Sequence, residues 1–533
     1  MLAGLDVGTS SVKGLLVSPE DGAVVARAEV EHPLSTPRPG WAEQDPEDWW
    51  SGAQAVLGAL AREGEIGGIG LTGQMHGLVT LDAGGRVLRP AILWNDGRTG
   101  AECAEIERRI GLSALIAATG NRALPGFTAP KLLWLAAHEP DVYAGIAHVL
   151  LPKDYVRLRL CGEHATDVAD ASGTLLFDVA ARSWSGAVIE ALQLDPAWLP
   201  QALESPEISG TTGSGARASG ARAGGATGSG VRASGARAGG ATASGARASG
   251  ARASGARAGG ARASGALVPA GIPVAAGAGD QAAGALGVGV DRRPPAPVSV
   301  VLGTSGVVFA ASDAFAADPA ARVHAFCHAV PGAWHSMGVV LSAAGSLRWL
   351  RDAIAPGAPF DALVDEASRW EPGVEGLTFL PYLAGERTPH ADPAARGAFV
   401  GLSLRHDRGA LVRAVLEGVA FALRDSLDLV AEISSPPAIG RVSGGGARSD
   451  LWLQILASVL ELPLQRTAVD EGASFGAALL GGVAAGLFPD VHAAVAQCVR
   501  PGEIVEPVAA WIEPYRVARE RFVALYPALN PSR

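Results

Sequence analysis

The sequence predicts an α/β protein built from two related domains, and three observations carry that expectation. Short apolar strands alternate with amphipathic helices along the chain. One strand–turn–strand pattern occurs twice, as LDVGTSSVKGLLV at residues 5–17 and as VVLGTSGVVFA at 300–310. The 533 residues leave room for more than one domain, at roughly 100–200 residues each.

Composition narrows the class. Hydrophobic residues make up 48% and charged residues 18%, which fits a globular protein with a large core. The net charge of −10 argues against nucleic acid as a partner of the folded part. Cys103, Cys161, Cys327 and Cys498 are far apart and form no CxxC pair, so neither a zinc site nor a disulfide framework is indicated and a reducing cytoplasm fits. The start, MLAGLDVGTSS, reaches Asp6 too early for a signal peptide. The longest apolar run, Gly476–Phe488, is too short to span a bilayer and reads as a buried helix.

In chain order, Leu2–Asp6 reads as a strand, Gly8-Thr9-Ser10-Ser11 as a turn and Val12–Val17 as a second strand. Backbone N–H groups and hydroxyls cluster at such a tip, which can hold phosphate oxygens; plain turns share the pattern. Asp45-Pro46-Glu47-Asp48 opens a helix, with a capping Asp, an early Pro and acids against the dipole. Trp49, Ala53, Val56, Leu57 and Leu60 then recur at helical spacing, which makes Trp49 a core residue. Strand Ile66–Thr72 exits into Gly73-Gln74-Met75-His76-Gly77. A neutral His76 can hydrogen-bond a sugar hydroxyl while Met75 packs on carbon, or His76 can be a satisfied structural histidine. Ala91–Arg98 packs Trp94, Asn95, Asp96 and Arg98 into one loop. Helices are expected at Thr128–His138 and Lys153–Leu160, with a strand at Val149–Leu151 between them; Lys153 either lines a cleft or sits at a helix start.

Thr211–Ala266 differs in kind. It repeats A-R-A-[SG]-G with a period of five and carries eight arginines and no acid, so the rest of the chain holds −18. With almost no large apolar residue it is expected to be a disordered insertion. A tether for an anionic partner and a neutral loop expansion both fit, and the second is preferred because insertions in surface loops cost little. Ile272–Ala276 is a short apolar strand broken by Gly277 and Gly279, and Asp280 stands where the next helix begins. A carboxylate there is placed to act as a general base or, alternatively, to cap the helix. After the second hairpin, with Gly303, Thr304 and Ser305 at its tip, come the irregular loop Phe379–His390 and the helix Gly409–Glu432. The strand end Arg441–Ser443 leads into Gly444, Gly445 and Gly446, with Ser449 before the helix Leu451–Leu460. Glycines there let backbone approach a nucleoside or phosphate.

Taken together, several of these segments resemble the FGGY family of carbohydrate kinases: the first hairpin with Asp6, WAEQDPEDWW (41–50), FTAPKLLW (127–134), GAGD (277–280), VLGTSG (301–306) and SGGGARSDLW (443–452). GQMHG (73–77), AILWNDGR (91–98), LLPKDY (150–155) and FLPYLAGERTPH (379–390) resemble the xylulose kinases within that family. The resemblance spans nearly the whole chain apart from the arginine repeat. It implies two actin-like (ribonuclease-H-like) domains, with mixed sheets flanked by helices, closing on ATP and sugar. The sugar-binding domain is expected at 1–290, the ATP-binding domain at 297–490 and a C-terminal helical extension at 491–533.

Position by position, the resemblance makes Asp280 the catalytic base and Asp6 the acid near Mg²⁺ and the reacting hydroxyl. Met75 and His76 match the xylulose-contacting pair, with Gln281, Trp94 and Lys153 as further sugar-site candidates. Gly8, Thr9, Ser10 and Lys13, with Gly303, Thr304 and Ser305, match the two phosphate turns; Gly444, Gly445, Gly446 and Ser449 match the adenosine loop. Gln281 stands where many relatives carry Asn, a change able to shift hydroxyl recognition. The implied reaction is phosphorylation of D-xylulose by MgATP in the cytoplasm, without nucleic acid or membrane as partner; homodimers are common in the family. Competing readings are a kinase of another ketose, polyol or aldonate, a non-catalytic actin-like ATP-binding protein, and an anion-binding protein acting through the repeat.

Overall fold

A computed structural model describes residues 1–213, 268–293, 297–469 and 472–530. Residues 214–266 of the arginine repeat lie outside the described residues.

The first sheet orders its strands Ile208–Thr211, Pro273–Ala275, Gly68–Gly73, Leu2–Val7, Ser11–Val17 and Val24–Glu31, with Ala278–Gly279 also paired to Gly68–Gly73. Leu2–Val7 pairs antiparallel with Ser11–Val17 and parallel with Gly68–Gly73. The second sheet runs His324–Cys327, Trp334–Val340, Gly306–Ser312, Val298–Leu302, Gly440–Ser443, Leu464–Thr467 and Pro501–Val505. Its hairpin Val298–Leu302/Gly306–Ser312 is antiparallel, and Val298–Leu302 is parallel to Gly440–Ser443. Each sheet therefore sets a hairpin beside a parallel strand, a second parallel strand and an antiparallel edge. This is the duplication that the repeated hairpin predicts.

Helix Pro46–Glu63 forms as expected: the Asp45 carboxylate accepts from Glu47 N at 3.0 Å. Trp49, Ala53, Val56 and Leu57 are fully buried on the first sheet. Gly14 admits this helix, since a Cβ there would stand 2.3 Å from a Val56 methyl. A core containing Phe127, Leu132 and Ala285 from the first half also contains Phe309, Phe326 and Val339 from the second, so the domains share apolar packing.

Three features depart from the expected domain plan. Helix Gly472–Ala484 follows a second-sheet strand, yet it lies on Leu2–Val7, Gly68–Gly73 and helix Asp280–Gly287. The approach is backbone to backbone: a Cβ on Gly70 would sit 1.7 Å from Ala477 O, and one on Gly476 1.8 Å from Ala283 O. Residues 491–533, expected as a helical extension, also belong to the domains. Strand Pro501–Val505 closes the second sheet, and helix Ala509–Leu529 buries Tyr515 and Phe522 in the second core. Thr211 and Thr212, expected within the disordered insertion, are instead paired in the stem of a sheet hairpin: Thr211 lies opposite Pro273, Thr212 N donates to Ile272 O at 2.9 Å and Gly271 N to Thr212 O at 2.8 Å. The four cysteines are buried and free. No described helix is long and apolar enough to cross a membrane.

Candidate active site

The carboxyl end of strand Gly68–Gly73 gathers both acids. Asp6 pairs with Thr72 on one side of it, and Gly279 pairs with Gly73 on the other. Strands in a sheet are about 4.8 Å apart, so one strand separates the two acids, and the negative charge of Asp6 raises the Asp280 pKa. Burial acts in the same direction and more strongly. Together they push Asp280 up to about 7, against the backbone N–H and side-chain amide of Gln281. Burial also pushes Asp6 up to about 6, opposed by Lys13, which is its direct cross-strand neighbour. Asp6 Oδ1 is buried and has no hydrogen-bond partner among the described residues. The capping alternative for Asp280 does not hold. The helix begins at Asp280 itself, with Gly279 as N-cap and no side-chain capping bond.

Met75 and His76 meet this pair. Gly279 leaves room for Met75, whose Cγ would stand 2.7 Å from a Cβ there. Gly173 leaves room for both: a Cβ there would lie 2.7 Å from the imidazole and 3.0 Å from Met75 Cε. His76 Nδ1 lies 2.6 Å from Gly173 O. A carbonyl only accepts, so Nδ1 carries the proton and Nε2 is left as an acceptor. Burial, then the positive charges of Lys131 and Arg387, hold the imidazole neutral, with its pKa down to about 3. His76 adopts a left-handed φ of 70°, which costs a non-glycine residue about 1–2 kcal/mol. Its carbonyl is clamped by Thr128 Oγ1 at 3.1 Å and Lys131 Nζ at 2.8 Å. Both residues lie in the FTAPKLLW segment, where a lysine on an apolar helix is the sequence signal for the clamp.

The first turn is wired to this site. Gln44 Nε2 donates to Thr9 O at 2.6 Å, Gln74 Nε2 to Gly8 O at 3.4 Å and Trp94 Nε1 to Thr9 Oγ1 at 3.0 Å. The indole N–H of Trp94, expected to face sugar, is therefore engaged by the phosphate turn. Gln44 and Gln74 were not legible as site residues, because nothing local marks a glutamine that acts across 30 residues or more. Ser10 is exposed at the tip. In the second turn Gly303 N donates to Ser305 O, Ala343 N to Thr304 O and Ala344 N to Gly303 O, at 3.1, 2.9 and 2.8 Å. Helix Ala344–Ile354 thus starts on that turn, a contact the sequence did not announce. The parallel pairing of Val298–Leu302 with Gly440–Ser443 sets the triple-glycine loop beside it. Gly444 (φ 92°) and Gly446 press on Leu302, whereas nothing stands within 4 Å of a Cβ on Gly445. Ser449 caps helix Asp450–Leu460 by accepting from Trp452 N.

Lys153 does not line the cleft. It is fully buried with Nζ 2.5 Å from Asp154, 2.6 Å from Asp167 and 3.3 Å from Asp170. It belongs to a helix start, Pro152–Cys161. The cluster anchors Val168–Ala171, the short helix leading to Gly173 beneath His76.

Profiles of the FGGY family of carbohydrate kinases match this chain twice, the N-terminal domain at residues 1–225 and the C-terminal domain at 298–485. The chain belongs to the FGGY family of carbohydrate kinases. Curated FGGY relatives include the xylulose kinase of Escherichia coli, 41% identical over 100% of this chain and 99% of its own. The xylulose kinase of Klebsiella pneumoniae is 41% identical over 91% of this chain and 90% of its own. Among solved structures, the xylulose kinase from Rhodospirillum rubrum is 33% identical, covers 99% of each chain and superposes with a TM-score of 0.83. The two mixed sheets are thus those of this kinase family, and the second family profile ends one residue after the helix that returns to the first sheet.

Proposed function

We infer that this FGGY kinase transfers the γ-phosphoryl group of ATP to the terminal hydroxyl of D-xylulose, forming D-xylulose 5-phosphate. One observation carries the reading: Asp6 and Asp280 flank a single strand end, Met75 packs on the glycine before Asp280, and His76 stands beside Met75 over Gly173. Full-length similarity to xylulose kinases supports the choice of sugar.

Phosphoryl transfer needs alignment and charge neutralisation more than covalent chemistry. Asp280, with a pKa near 7, is poised to take the hydroxyl proton as the oxygen attacks. His76 Nε2 accepts from a second sugar hydroxyl, and Met75 packs on the carbon chain. The two Gly-Thr-Ser turns offer backbone N–H groups and hydroxyls to the phosphates, and the open face at Gly445 suits the adenosine. Mg²⁺ would fit Asp6, whose buried Oδ1 has no hydrogen-bond partner among the described residues, since this ion takes only one or two protein carboxylates beside substrate phosphates and water. When bound there, the cation neutralises charge on the phosphates. A cytoplasmic sugar kinase is consistent with four free cysteines.

The test is ADP release, followed by a coupled assay with MgATP and a panel of D-xylulose, D-ribulose, L-ribulose, glycerol and gluconate. D-xylulose is expected to give the highest kcat/KM. A higher value for another acceptor would reassign the sugar, and no acceptor-stimulated turnover would favour a non-catalytic ATP-binding protein.

A further inference from the structure

The sugar-site residues discussed so far all come from the first domain. One charged side chain reaches the same wall from the second half. Arg387 lies in the irregular loop after strand Thr378–Leu380, and that loop is pinned to the second sheet. Thr388 N donates to Val339 O at 3.1 Å, Val339 N to Thr388 Oγ1 at 3.0 Å and Leu341 N to Glu386 Oε1 at 3.0 Å. From this base the guanidinium crosses to the first domain, where its NH2 lies 3.7 Å from the position of a Cβ on Gly126. Gly126 is part of the sugar-site wall: its carbonyl accepts from Lys131 Nζ at 2.8 Å, the same ammonium that clamps His76 O. Its neighbour Phe127 packs edge-on against His76 at 4.8 Å. The Arg387 charge is felt by His76 and by His324, both held neutral partly by it.

What marks Arg387 is that no side chain among the described residues pairs directly with its guanidinium. Burial lowers its pKa, and no hydrogen bond or ion pair of its guanidinium is found among the described residues. The adjacent Glu386 is the one charge found to act on it, and the two side chains form no direct ion pair. Glu386 turns Oε1 to the backbone N–H groups of Leu341 and Arg387, at 3.0 and 2.7 Å, and burial raises its carboxyl to about 8. This half-buried residue keeps its guanidinium donors free for a ligand, and the fold holds it against the wall of a polar-ligand site. Contacts order the wall as Asp280, Met75, His76, then Gly126 with Arg387. The Arg387 charge acts on His76 but is not among the charges that act on Asp280, which places it on the histidine side of the wall rather than beside the base.

We propose that Arg387 is a substrate-contacting residue, which donates from the second domain to the oxygens of the acceptor sugar at the end remote from the hydroxyl that Asp280 activates. The sugar pocket is then completed by both domains, and a guanidinium fork selects acceptors with two adjacent oxygens at that end. This rests on the sugar-kinase reading above.

The experiment is steady-state kinetics on the full-length protein with Arg387→Gln, varying D-xylulose and ATP separately, with ligand-induced melting shifts alongside. Loss of a charged hydrogen-bond donor is expected to raise the D-xylulose KM about ten- to hundredfold, with the ATP KM moving less than about twofold. The melting shift given by D-xylulose should shrink while that given by ATP persists. If Arg387→Gln does not fold, Arg387→Lys, which keeps the charge and loses the fork, should raise the sugar KM several-fold. An unchanged sugar KM in a folded variant overturns the proposal, as does a rise confined to ATP. If the unaltered protein fails to phosphorylate D-xylulose, the functional reading itself falls; normal kinetics in the variant beside an active parent removes only Arg387.

Discussion

Replacing Asp280 by Asn should stabilise the protein while nearly abolishing turnover, and both effects follow from one number. Folding raises this carboxyl from 3.8 to about 7, through burial and then the Asp6 charge. A carboxyl raised on folding binds its proton more tightly in the native state. Its contribution to stability is therefore complete below the unfolded value and is lost as pH rises through the folded one. At about 1.4 kcal/mol per unit, the ionised base costs the ligand-free fold at most roughly 4 kcal/mol above neutrality. Solvent entering the cleft screens part of this, so a gain of about 1–3 kcal/mol is expected for Asp280→Asn at about pH 8. Asparagine does not titrate, so the advantage should shrink as pH falls toward about 4. The assay is a melting series on parent and variant across that range, read as Tm because a two-domain protein need not unfold in one step. In parallel, kcat should fall by about 10²–10⁴. A variant that melts no higher than its parent at the alkaline end, or whose advantage does not depend on pH, would refute the idea that Asp280 is a strained base. Near-normal turnover would remove it from the chemistry.

In the unaltered enzyme kcat/KM should drop about tenfold per unit below pH 7, on the acid limb set by Asp280; a limb centred near 4 would contradict the raising of this carboxyl by burial and by Asp6. His76→Asn keeps a residue that tolerates the left-handed backbone and loses the Nε2 acceptor. It should raise the sugar KM about tenfold and leave the ATP KM alone, and equal effects on both would point to a collapsed site. Gly70→Val places a side chain against Ala477 O, 1.7 Å from the first added carbon. A loss of more than about 3 kcal/mol or an insoluble product is expected, and a normal Tm would mean that helix Gly472–Ala484 does not pack on this sheet. Deleting residues 214–267 and joining Gly213 to Val268 keeps the Thr212–Ile272 stem intact. Kinetic constants should be unchanged, and lost activity would show that the repeat is not passive.

Much of this protein is written locally. The two hairpins, the Asp45-capped helix and the strand leading to Asp280 are encoded by alternation, helical spacing and turn chemistry within about 20 residues, so they could be read without coordinates. Strand exits drew attention to Asp6, Asp280, Met75 and His76 but left each with a structural alternative, and the resemblance to the FGGY family is what assigned their roles. Other roles came from groups far apart in the chain. Lys153 looked like a cleft residue until Asp167 and Asp170 were brought to its ammonium. Trp94, a sugar-site candidate in the sequence, has its N–H held by Thr9 across 85 residues of chain.

By itself the sequence determined a duplicated α/β frame and the acids that it presents, since periodicity and turn residues act through neighbours along the backbone. Only the tertiary structure decided that one strand separates Asp6 from Asp280, that a late helix returns to the first sheet, and that Arg387 crosses to Gly126. These depend on close approach between segments up to hundreds of residues apart. Burial and the field of a neighbouring charge then set what each group can do, and neither is a property of the residue's own stretch of chain.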